Sequence, residues 1–82
     1  MACIKFFASL REQLKCAEME IHIPSNADVT WLIEHLVSQH SDWQEALQRK
    51  DLLVAVNQTL CSKQAPISNT DEIALFPPVT GG

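Results

Sequence analysis

The chain closes on the stretch Leu75–Gly82, which reads LFPPVTGG. Gly81 and Gly82 are the only two glycines among 82 residues. Glycine usually serves where backbone needs positive φ or must pass close to something. Here every internal turn has to be made without it. The one reactive group of such an end is the α-carboxylate of Gly82, which is ionised at neutral pH because its reference pKa is about 3.5. A carboxylate is a poor electrophile. It needs activation, most simply by adenylation, after which a sulfur or amine nucleophile can take the acyl group. The residues in front govern access. Pro77 and Pro78 hold φ near the extended polyproline value, and Pro77 biases Phe76 toward extended backbone. The six residues 77–82 can reach roughly 20 Å. Their tip fits a tunnel too narrow for any side chain, so the chemistry would belong to partner enzymes. The bland alternative is a frayed end; the stiff Pro-Pro and the aromatic Phe76 weigh against it.

Other chemistry is sparse. Of the histidines, His22 falls on the polar side of an alternating segment, His35 lies opposite a helical apolar stripe and His40 sits at a helix end. A His35/His40/Asp42 metal site fails on spacing, which does not bring the three to one face, so solvated histidines and no metal are expected. Cys3 and Cys16 lack a neighbouring histidine in a nucleophile motif, and Cys61, following Leu60 in a short strand, reads as structural. No phosphate-binding or nucleotide fingerprint occurs, and two terminal glycines could not build one. No self-contained active site is expected.

Composition narrows the partners. Eighty-two residues make one domain with a modest core and no enclosed active-site cavity. The net charge of −4 argues against nucleic acid and against an anionic membrane surface. It favours docking on a larger protein with a basic pocket. No apolar run approaches the ~20 residues of a membrane span. MACIKFFASL has no basic leader followed by a long apolar stretch, so no signal peptide is expected. Three widely spaced cysteines suit a reducing cytosol better than a disulfide framework.

These residues need a scaffold. CIKFFAS (3–9) predicts a strand with Ile4, Phe6 and Ala8 inward and Cys3, Lys5 and Phe7 outward. AEMEIHI (17–23) alternates more cleanly, with Ala17, Met19, Ile21 and Ile23 on one face, and forms a hairpin with the first strand through REQLK. Asp28 is the expected N-cap of a helix whose stripe is Val29, Leu32, Ile33, Leu36 and Val37, ending near Gln39 or His40. Ser41 opens a shorter helix, its SDWQ fitting a capping box, with Trp43, Ala46 and Leu47 as the apolar face. LLVAVN (52–57) predicts a buried strand, Leu60–Ser62 a short one, and IALF (73–76) the last, closed by Pro77. The expectation is an α+β domain over 1–76, a mixed sheet of about five strands on one main helix plus a short second helix, with 77–82 as an extended tail. On this parity Phe7 and Phe76 both face solvent, an apolar patch of the kind that marks an interface.

LFPPVTGG closely resembles the carboxyl-terminal signature of the small subunit of molybdopterin synthase, a family of ubiquitin-like sulfur carriers with the β-grasp fold. KFFASLRE (5–12) and LLVAVNQTL (52–60) resemble that family's first strand and central hairpin, and DEIALFPPVTGG (71–82) its last strand and tail. The resemblance implies that an adenylating enzyme of the ubiquitin-activating type uses ATP to form an acyl-adenylate at Gly82, and that sulfur then replaces AMP to give a thiocarboxylate. No cofactor is expected to stay bound, and the nucleotide belongs to the activating step. The large subunit would take the tail, Pro77, Pro78, Val79, Thr80, Gly81 and Gly82, into its active site. Sulfur would pass there to cyclic pyranopterin monophosphate, building the dithiolene of molybdopterin. The implied assembly is a cytoplasmic heterotetramer of two large and two small subunits, with Phe7, Leu60 and Phe76 packed on the large one. The chain would then be part of a sulfurtransferase without an active site of its own. Where the family often has Asp-Gly-Asp before the last strand, this chain has Asn69-Thr70-Asp71, and Asn69 is expected to supply the left-handed turn. Three rivals stand beside this reading: a carrier for thiamine or another thiolated product, a modifier joined to lysines through Gly82, and a binding module with an inert tail.

Overall fold

The computed structural model describes residues 1–78. Five strands form one sheet: β1 (Ala2–Phe6), β2 (Glu18–Ile21), β3 (Leu53–Val56), β4 (Thr59–Cys61) and β5 (Glu72–Phe76). Their order is β2-β1-β5-β3-β4. β1 and β5 run parallel at the centre, and the other neighbours are antiparallel. The helices are α1 (Ala8–Leu14), α2 (Val29–Gln39) and α3 (Gln44–Leu47), the last entered through a 3-10 turn at Ser41–Trp43. The expected mixed sheet, main helix and short second helix are therefore present.

Sheet parity makes the core. Ala2, Ile4 and Phe6 of β1, Ile73 and Leu75 of β5 and Val54 of β3 point to one side and are buried. Val29, Leu32, Ile33 and Leu36 of α2 meet them, with Leu10, Leu14, Trp43, Ala46 and Leu47 closing the sides. Phe6 packs edge-on against Trp43, ring centroids 5.6 Å apart at 74°, a favoured aromatic geometry. Among the described residues no polar or charged residue is buried. The buried core is thus lined by apolar side chains.

α2 starts where its sequence says it should. The Trp31 N–H donates to Asp28 Oδ1 at 2.8 Å. The two preceding N–H groups of its first turn, on Val29 and Thr30, donate to the carbonyls of Ala65 (3.1 Å) and Lys63 (2.9 Å). The donors that every helix start leaves over are so satisfied by a cap and a loop.

Several expectations need correction. REQLK is no plain connection, because Ala8–Leu14 form α1. Ala8 therefore does not point inward from the first strand; it is exposed at the helix start. Its apolar stripe is only Leu10 and Leu14, one i, i+4 pair, too little to announce a helix. The second strand spans 18–21, and Ala17, expected on its apolar face, is exposed. The SDWQ capping box is not formed: the 3-10 turn starts after His40 with no side-chain cap, and Gln44 Nε2 instead donates to Gln48 Oε1. The short strand is Thr59–Cys61, one residue earlier than read.

Among the described residues five non-glycine residues take positive φ: Ala8 (56°), Lys15 (55°), Asn26 (65°), Asn57 (52°) and Gln58 (69°). Asn57-Gln58 joins β3 to β4 with both central residues left-handed, as a two-residue hairpin of matching twist requires. Asn69 is not among them, against expectation. Its amide bridges instead to Ile23 across 46 positions: Oδ1 accepts the Ile23 N–H at 2.7 Å and Nδ2 donates to the Ile23 carbonyl at 3.1 Å. The turn itself is closed by Asp71, whose Oδ2 accepts the Ser68 N–H at 2.8 Å.

Candidate functional site

Among the described residues no helix lies on the side of the sheet away from α2, and strand register lays out its surface. Phe76 pairs with Leu53 of β3. Phe7 lies one step beyond the Phe6–Leu75 pair, and its N–H donates to the Leu75 carbonyl at 3.2 Å. Phe7, Phe76 and Leu53 therefore share one end of the open face, the end from which β5 leaves the sheet. The next row reads Leu60, Ala55, Ala74, Lys5 and Glu18 across all five strands. The row after that holds Glu72, Cys3 and Glu20. The face so grades from apolar, beside the chain's exit, to acidic at the far end and along the β2 edge.

Exposure is uneven along this face, and Ala55 in its middle row is buried at 8%. Phe7 is 45% and Leu60 64% exposed, and both are large apolar side chains left in water. Phe76, Pro77 and Pro78 are half-buried. Val79, Thr80, Gly81 and Gly82 lie outside the described residues. Leu60, whose side of its strand the sequence left open, stands on the same face as Phe7 and Phe76. Sequence reasoning, which reads Ala74 as outward with Phe76, missed Leu53 and Ala55. The signal for them was present once Phe76 was read as outward, because antiparallel pairing puts Leu53 and Ala55 on the same side as Phe76 and Ala74.

At the charged end, Lys5 Nζ pairs with Glu72 Oε2 at 3.2 Å. The hydrogen bond to Glu72 holds the Lys5 ammonium above its ordinary pKa. The Cys3 thiol is also raised, first by burial and then by the Glu18 carboxylate, whose Oε2 it approaches at 3.9 Å. A thiol so placed is short of thiolate at neutral pH and makes a poor nucleophile.

The rest of the surface offers little. His35 stacks on Trp31, centroids 4.8 Å apart, and His40 on Trp43 at 3.9 Å; each ring covers an indole. Among the described residues no three His, Cys, Asp or Glu side chains converge as a metal would need. A shallow cleft of about 190 Å³ between Thr30, Ile33, Glu34, Leu47, Gln48 and Lys63 is below the ~300 Å³ of small-molecule pockets. What the arrangement can do is present an apolar surface beside Pro77 and Pro78, where the chain leaves β5.

A five-stranded mixed sheet of this order, with a helix across one face, defines a ubiquitin-like β-grasp domain. The profile of the ThiS family matches residues 4–82, and the chain belongs to that family. It is 42% identical over 84 aligned residues to the molybdopterin synthase sulfur carrier subunit of Escherichia coli (strain K12), with all of both chains covered. It is 40% identical over 82 residues to the subunit of the same name from Haemophilus influenzae, again covering both in full. In three dimensions it superimposes on SAMP1 from Haloferax volcanii with a TM-score of 0.84 and 25% identity, covering 99% of this chain and 98% of that one. Among the described residues no helix is long and apolar enough to cross a membrane.

Proposed function

We propose that this chain is the sulfur carrier of a molybdopterin synthase. The observation that carries the reading is its full-length identity of 40–42% to subunits of that name; the apolar patch at the root of the tail supports it. On this reading the Gly82 carboxylate attacks the α-phosphorus of ATP on an adenylating enzyme and pyrophosphate leaves. Hydrosulfide delivered by a sulfur donor then attacks the acyl carbon, AMP departs with loss of a proton, and Gly82 ends as a thiocarboxylate. The charged chain docks on the large subunit through Phe7, Leu60 and Phe76. Pro77 and Pro78 launch Val79–Gly82 into that subunit's active site, where sulfur passes to cyclic pyranopterin monophosphate. Two large and two small subunits make the assembly, in the cytoplasm, with no cofactor held permanently by this chain.

Intact mass after incubation with the activating enzyme, ATP and a sulfur donor tests the reading. An oxygen-to-sulfur shift on the carboxyl-terminal peptide is expected. The likeness to SAMP1, a small archaeal modifier protein, favours a second reading as a modifier of lysines. Ladders of conjugates, without the sulfur shift, would select it instead.

A further inference from the structure

Two local rules fail side by side where β1 passes into α1. Position 7 is the N-cap of α1, a place for Ser, Thr, Asp or Asn, whose side chain accepts a first-turn N–H. Phe7 holds it with no side-chain cap bond and is 45% exposed. Ala8 follows at φ 56°, a region that only glycine visits freely and Asn or Asp at modest cost. Of the five residues at positive φ, Ala8 alone has no polar side chain. Lys15 is the left-handed end of α1, a common place for that conformation, and Asn26, Asn57 and Gln58 sit in turns. The start of α2 breaks neither rule, since Asp28 caps it. Neighbouring violations of this kind mark positions held for something other than stability.

The left-handed step fixes where Phe7 goes. Phe7 itself is extended, φ −124° and ψ 160°. Its N–H still donates to Leu75 of β5, while its carbonyl already accepts the Arg11 N–H at 3.4 Å. Phe7 is at once the last rung of the sheet and the first residue of the helix turn. Its ring keeps the outward parity of β1 and stands level with Phe76. A right-handed or extended Ala8 would send the chain on another course and loosen that rung. We propose that Ala8 is a positioning residue, whose left-handed backbone locks the Phe7 ring beside Phe76 as one half of the docking surface. The inference rests on the sulfur-carrier reading, in which Phe7 seats on the large subunit.

The test compares affinity for the purified large subunit of molybdopterin synthase with urea stability, for wild type, Ala8→Val, Phe7→Ala and the double variant. Valine avoids left-handed backbone. Ala8→Val is therefore expected to weaken binding roughly tenfold, the scale of losing an interface anchor. It should weaken binding no further when Phe7 is already alanine, because both changes remove the same contact. A chain made by ligation at Cys16, with D-alanine at position 8, should keep wild-type affinity and unfold at higher urea, since the D-residue favours positive φ. It also decides the matter if Ala8→Val fails to fold. Unchanged affinity in Ala8→Val, additive losses in the double variant, or weakened binding by the D-alanine chain would each overturn the inference. Wild type that does not bind the large subunit at all would overturn the reading beneath it instead.

Discussion

The two faces of one sheet are built to opposite rules. On the covered face Ile4, Phe6, Ile73 and Leu75 are almost wholly out of water, packed under α2. On the open face the alternating partners in the same strands are Cys3, Lys5, Glu72, Ala74 and Phe76, all only half-buried, with Phe7 and Leu60 more exposed still. The apolar side chains of the first face are explained by folding. Those of the second are not, because burying a ring stabilises by about 1.5–3 kcal/mol and leaving it in water forfeits that. The difference teaches where to look for a partner: at the end of the open face where Phe7, Leu53 and Phe76 meet, beside the exit of β5.

The sharpest way to break the comparison is to cut one ring from each face. Phe6→Ala empties a site against Trp43 and should cost about 3–5 kcal/mol in urea unfolding. Phe76→Asp, one strand over and on the other face, should cost about 1 kcal/mol or less. It should nevertheless weaken large-subunit binding by roughly tenfold or more. If Phe76→Asp unfolds the domain as Phe6→Ala does, the open face is a second core and not a docking surface.

Asn69 sharpens the picture at an intermediate scale. Its two bonds to Ile23 tie the loop before β5 to the strand end after β2. Asn69→Ala leaves a backbone donor and acceptor without those partners and should cost about 1–3 kcal/mol. Binding measured on the folded fraction should not move, because Asn69 lies off the apolar end of the open face. A smaller gain is expected at the β3–β4 turn. Gln58 sits at φ 69°, where glycine is at ease. Gln58→Gly should raise stability by about 0.5–1 kcal/mol, read as a shift of the urea midpoint at constant slope.

Much of this was legible in the residues. Asp28 and the stripe from Val29 to Leu36 follow local rules, so α2 and its cap could be read directly. The outward parity of Phe7 and Phe76 came from alternation alone. What stayed hidden depends on distant contacts or on broken local rules. α1 begins with an uncapped Phe7 and a left-handed Ala8, the opposite of a helix-start signal, and shows a single i, i+4 apolar pair. Leu60 could be assigned a face only once the Asn57-Gln58 turn fixed the register of β4 against Ala55. Asn69 looked like a turn residue, as asparagine usually is, because its partner Ile23 is 46 positions away. Ser41 had the right neighbours for a capping box, yet the chain enters through a 3-10 turn after His40.

The smallest effect concerns the charged end of the open face. The Lys5 pKa is raised, chiefly by its hydrogen bond to Glu72. A lysine whose pKa is higher folded than unfolded binds its proton more tightly in the native state. Its contribution is therefore fully present below the ordinary lysine value, near 10.4, and is lost as pH climbs through the raised one. The pair is exposed, so salt screens it and its share of stability is small. Neutral-pH stability should hardly change in Glu72→Gln. The Lys5 titration followed by NMR should nonetheless move down toward the ordinary value, and the extra alkaline loss of stability should disappear. The Phe7–Phe76 end should bind its partner as before, since the substituted Glu72 lies two rows away from it. A Lys5 titration unmoved by Glu72→Gln would mean that the ammonium answers to the Glu18 row instead.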